Sequence, residues 1–234
     1  MAASLQIEDF ELERLVFEAR FPNAFQLWDK AGALSDALAK LWEPLSLTTA
    51  QPGSIVFRHG RDMNLAVELG RAVMTLFYPG SKPEVKQIDA FFGVVREHLQ
   101  LTTLQRVGLR FLLFKKFETL PMAASSVLGV GILSAPKERV FGAEGEPTAA
   151  EAVIGFTGKG LGATLRIGAQ TRQVSIDLPP EVSPDIKETH ETSHGVSLDV
   201  DFFTPKEVQA AQMGLAEWIE QVMHVYRRDV PKFL

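Results

Sequence analysis

The sequence predicts an α+β protein in which an antiparallel sheet is covered by helices on one face. Three observations carry that prediction. Several stretches alternate apolar and polar residues with period two, three others carry an apolar stripe at helical spacing, and the order in which these occur is run through twice. A helix buries one stripe and a sheet of this kind one face, so the economical arrangement stacks all helices on one side of the sheet and leaves the other side open.

The chain of 234 residues is 46 % apolar, ample for a core of one large or two small domains. Its formal charge of -5 is spread along the chain, leaving no basic field for nucleic acid or an anionic membrane surface. Cysteine is absent, which excludes disulfides, thiolate metal sites and cysteine nucleophiles. The first residues carry no secretory pattern and no apolar run reaches bilayer length, so the expected location is cytoplasmic, with no membrane anchor.

In residues 12–21 Leu15, Phe17, Ala19 and Phe21 point one way while Arg14 and Glu18 point the other, as in a half-buried strand. Asn23 is placed to cap a helix over 24–42 whose stripe is Leu27, Ala31, Leu34, Leu38 and Leu41. Pro44 and Pro52 frame an expected loop, followed by strands at 54–58, 63–69 and 71–78. A second helix is expected from Pro83, burying Val85, Ile88, Phe92, Val95 and Leu99.

The order then restarts at 104–117, LQRVGLRFLLFKKF, with Val107, Leu109, Phe111 and Leu113 on one face and Arg106 and Arg110 on the other. A short helix is expected to end near Gly129. Strands are predicted at 152–157, 161–169 and 172–178, with a turn near 168–171, then a loop over 179–195. Val196, Leu198, Val200 and Phe202 alternate with Ser197, Asp199 and Asp201, and Thr204 and Pro205 would open a last helix through Val208, Leu215, Ile219, Val222 and Tyr226. The chain thus parses as two tandem β-α-β(3-4)-α units, 1–102 and 103–234, sharing one curved antiparallel sheet in one continuous body. That arrangement is similar to the TATA-binding-protein-like or helix-grip folds.

Read in order, VFEARF, RVGLRFLL, LDVDFF and the tail HVYRRDVPKFL resemble the landmarks of a sporadically distributed family of uncharacterised bacterial proteins. That family carries a mid-chain Arg-x-Gly-Leu-Arg-aromatic strand, here Arg106 to Phe111, and Leu113 stands where the family has an asparagine. The resemblance implies no activity and brings no catalytic residues.

Two motifs invite chemistry. His190-Glu191-x-x-His194 matches the helical zinc-protease pattern, but it lies in a polar segment with Pro184 before it and Gly195 after it, so a solvated loop is the favoured reading and a zinc-dependent hydrolase the alternative. Residues 155–163, GFTGKGLGA, lack phosphate-loop spacing and precede a strand, so a tight hairpin is expected there. His59, His98 and His224 are isolated, and no cofactor is implied.

The open face is the expected working surface. Period two projects Asp199 and Asp201 from one side of the sheet, and Arg106, Arg110, Arg166 and Asp177 fall on that side in the predicted fold. Cross-strand ion pairs are one reading, and a ligand- or partner-binding floor is the other. Leu112 and Phe114, beside the arginines, call for something to cover them. The leading expectation is a non-catalytic interaction module that binds a protein partner or small ligand through this face, with a homodimer as one form. The alternative is a small-ligand binder of the helix-grip kind, with a cavity lined by Phe156, Leu165, Ile167 and Trp218.

Overall fold

A computed structural model describes residues 5–78, 85–130, 149–176 and 189–234. Its strands are β1 (Glu11–Arg20), β2 (Ser46–Gln51), β3 (Ser54–His59), β4 (Met63–Glu68), β5 (Arg71–Phe77), β6 (Thr103–Leu104), β7 (Arg106–Phe117), β8 (Glu151–Thr157), β9 (Gly162–Ile176), β10 (Thr189–Phe203) and β11 (Val208–Gln209). The helices are α1 (Gln26–Leu41), α2 (Val85–His98), α3 (Leu120–Leu128) and α4 (Leu215–Asp229).

Nine strands form one open antiparallel sheet in the order β2-β3-β4-β5-β1-β7-β10-β9-β8, and β6 with β11 forms a separate short ladder. The α+β class and the large antiparallel sheet are as the alternation predicts. At the centre β1 and β7 run antiparallel, with Phe17 opposite Leu109 and Ala19 opposite Val107. Outward from that seam each leading strand lies beside the last strand of its own meander, β5 on one side and β10 on the other.

Leu15, Phe17, Leu65, Met74, Leu109, Phe111, Leu198 and Val200 share one face and are buried. The helices deliver Leu34, Leu38, Ile88, Phe92, Val127, Ile219 and Val222 to the same cluster, with α1 against α2 and α2 against α4. Burial of each such side chain is worth about 1.5–3 kcal/mol, which makes this layer the main source of stability. α3 ends at Gly129 as expected, and its start is fixed by Thr119, whose hydroxyl accepts from the Met122 amide.

Five local expectations are corrected. The segment after Pro44 is not a loop but edge strand β2, held to β3 by backbone hydrogen bonds although both its faces are exposed. No turn interrupts 168–171, because β9 stays paired to β10 without a break through Ile176. The expected loop over 179–195 becomes strand from Thr189 for the same reason; its earlier part, with Asp177, lies outside the described residues, as does Pro83. Asn23 does not cap α1, which begins at Gln26 without a side-chain cap. The last helix begins at Leu215, not Pro205. Thr204 remains bound to β7, its amide donating to the Val107 carbonyl at 2.9 Å and its hydroxyl accepting from the Val107 amide at 3.0 Å, while Val208 pairs with Leu104.

Candidate functional site

The register across β1, β7, β10 and β9 brings the predicted polar residues onto one face. Arg110 Nε and Nη2 bind both oxygens of Asp199, at 2.7 and 2.5 Å. Arg106 bridges two carboxylates, donating to Glu18 at 3.0 Å and to Asp201 at 2.6 Å. Both contacts between β7 and β10 are diagonal, since the residue directly opposite Arg110 is Asp201. Arg166, directly opposite Asp199, lies 4.0 Å from it and turns mainly to Glu151 at 3.3 Å. Glu18 extends the chain of charges to Arg20 and Arg71, and Arg71 to Glu68.

This ladder is internally balanced: Glu18, Glu68, Glu151, Asp199 and Asp201 face Arg20, Arg71, Arg106, Arg110 and Arg166. An incoming anion would have to displace a carboxylate from a charge-assisted bond. The space among Glu18, Arg20, Arg106, Arg110 and Asp201 is only about 100 Å³. Burial raises the Asp201 carboxyl above the ordinary value of 3.8, against the pull of Arg106 and Arg110, while the bond to Asp199 raises Arg110. The sign for Asp201 follows. Its contribution to stability is complete below the unfolded-state value and is lost as pH rises through the higher folded value, since ionisation is harder in the folded protein. Carbon-detected NMR titration is expected to find its midpoint above 3.8, and the stability of the wild type relative to Asp201→Asn is expected to fall across that window. A midpoint at or below 3.8 refutes it.

Phe114, on the same face, is buried by a group from the chain itself. The Arg172 guanidinium stacks 3.6 Å from its ring centre and is fixed by Glu13 at 2.6 and 2.7 Å. Glu13 sits where the β1–β7 register shifts, and a bulge of this kind re-aims a side chain.

The two motifs resolve differently. The 155–163 run is the β8–β9 hairpin, closed by the Gly158 amide on the Leu161 carbonyl at 2.9 Å. His190 and His194 lie in β10, where positions four apart are separated by about 13 Å, against about 6 Å in the helical motif. His194 meets the Thr171 hydroxyl at 2.9 Å, and among the described residues no group of three or more His, Asp or Glu is placed to hold a metal. His59 and His98 are bound to the carbonyls of Pro44 and Val94.

A second site lies at the β8 end of the sheet. A cleft of about 460 Å³ opens between the strands and the end of α4. Phe156, Ala163, Leu165, Val200 and Phe202 form its floor; Val225, Val230 and Phe233 form its wall. The Phe156 and Phe233 rings, 5.4 Å apart, close one end. Asp229 and Lys232 stand on the rim, joined at 2.9 Å, and Arg228 also binds Asp229, whose carboxyl is held far below its usual range by these bonds. Of the four residues expected to line such a cavity, Phe156 and Leu165 do; Ile167 and Trp218 are packed in the core instead. Phe233, which completes the wall, follows a proline, Pro231, and lies beyond the periodic stripe of α4, so no sequence pattern announces its role.

No family model and no curated protein sequence matches the chain.

Proposed function

We propose that the chain is a non-catalytic binding protein that holds a small, mainly apolar molecule in the cleft between α4 and β8–β10. The observation that carries this reading is the cleft itself. Its volume falls within the roughly 300–1,000 Å³ of small-molecule sites, its walls are apolar and aromatic, and its few polar groups stand at the rim. Asp229 is shared by Arg228 and Lys232, which leaves the rim a single net positive charge beside apolar walls and favours a neutral or weakly anionic amphipathic ligand over a multiply charged one.

Anilinonaphthalene sulfonate serves as the probe. Wild-type protein is expected to bind it saturably and give it up to a medium-chain alkanol. Ala163→Trp, which fills the floor, is expected to weaken binding at least about tenfold, or about 1.4 kcal/mol, while leaving the circular dichroism spectrum unchanged. Equal binding by wild type and this folded variant overturns the reading.

The open sheet face supports a second reading, an interaction module that docks a protein partner. It rests on Arg110 and Arg166, whose side chains are about half exposed at 45 % and 51 % beside the shared Asp199. On this reading the partner replaces part of the ladder, exchanging one carboxylate for another.

A further inference from the structure

At the sheet edge opposite the cleft, the helical layer stops short of β2. Leu47 lies opposite Phe57 and Ala50 opposite Ile55, so both belong to the core-facing side of the sheet. Phe57 and Ile55 are buried, yet Leu47 is 53 % exposed and Ala50 is exposed too. Beside them Phe25, just before α1, and Trp28 in its first turn, with rings 5.2 Å apart, are 54 % and 59 % exposed. A groove of about 590 Å³ runs between Trp28 and Ala31 of α1 and Ala50 to Gly53. Large apolar side chains are therefore gathered at a strand edge that, among the described residues, has no neighbour to pair with.

Edges of monomeric sheets are ordinarily guarded by lysine, proline or inward-pointing charge. β2 reads SLTTAQ and carries none of these within it. The free backbone groups define the occupant as an extended strand. The sequence of β2 identifies that strand further, because it is suited to pairing with itself.

We propose that two copies of the chain associate through β2, pairing antiparallel about a two-fold axis that passes between Thr48 and Thr49. In this register Leu47 of each copy faces Ala50 of the other and Ser46 faces Gln51, so no like charges meet. Residues 47 and 50 would fall on opposite faces of a regular strand. The register shift between Leu47 and Thr49 places both on the core-facing side, and self-pairing then sets two Leu–Ala contacts on the apolar side of the seam. An axis perpendicular to the sheet keeps both α1 helices on the same side. The exposed Trp28 of each copy is thereby brought toward the groove of the other, a self-complementary arrangement of ridge and hollow.

The full-length chain tests this by sedimentation equilibrium. The expected result is a concentration-dependent dimer. Leu47→Lys with Ala50→Lys places four cations at the seam on exposed positions and is expected to raise the dissociation constant at least about 100-fold, with a thermal midpoint equal to that of the wild type when both are measured at concentrations where the wild type is monomeric. Val153→Lys, on the exposed outer edge β8, is expected to leave the dimer intact. A chain that stays monomeric up to about 1 mM overturns the proposal, as does a dimer that survives the double substitution or dissociates with Val153→Lys. Binding of the fluorescent probe at the opposite end of the sheet is independent of all three outcomes.

Discussion

Phe111→Ala is expected to destabilise the protein by about 4 kcal/mol, which for a chain of this size lowers the thermal midpoint by roughly 8–16 °C. Phe111 lies on β7 and is 1 % exposed. Its ring stacks on Tyr226 of α4 at 4.3 Å and meets Phe202 of β10 edge-on at 6.1 Å. The substitution therefore removes a ring that joins the sheet centre to the last helix, and neighbours fixed in two other elements cannot close the space. Burial pushes the Tyr226 hydroxyl up to about 12, and opening this contact is expected to bring its titration down toward 10. Denaturant unfolding with tyrosine absorbance titration measures both, and a loss under about 1 kcal/mol would show that Phe111 is not a packing centre.

Gly195→Ala is expected to cost about 2–3 kcal/mol, a large effect for one methyl group. A Cβ at 195 would run into the Phe114 ring and the Lys115 carbonyl oxygen on the neighbouring strand. The ring cannot turn away freely, since Arg172 covers its other side. Gly155→Ala is the matched control, for nothing lies within 4 Å of the added methyl there, and it is expected to change stability by less than about 0.5 kcal/mol. Equal effects of the two substitutions in thermal unfolding would refute this account.

The elements that can be read from the sequence are those with one buried face. β4, β5 and the second half of β10 alternate between core and solvent, and Met63, Leu65, Val67, Val196 and Leu198 announce them. β2 and the first part of β10 are strands because their backbones pair with β3 and β9, and β2 is exposed along nearly its whole length, so neither announces itself by a buried stripe. The site was legible to the same depth. Period two puts Arg106, Arg110, Asp199 and Asp201 on one face, and they do meet there. Which arginine binds which aspartate depends on the diagonal register of β7 against β10, and that is a property of the pair of strands, not of either sequence pattern. α4 starts later than Thr204 and Pro205 suggest because the Thr204 hydroxyl, a good helix cap in isolation, has a competing partner in the Val107 amide.

The central pairing of β1 with β7 also bears on how the chain emerges during synthesis. β1 acquires β5 as a neighbour once residue 77 is made, but its other edge has no partner until residues 106–117 follow. Over that interval an incomplete chain presents a ten-residue strand with one row of backbone groups unpaired, the kind of surface on which nascent chains associate with each other. Arg14 and Arg20 with Glu11, Glu13 and Glu18 give that strand a density of charge that β2 lacks. The most protected position in the finished sheet is thus also the one whose sequence is best equipped to wait for its partner in solvent.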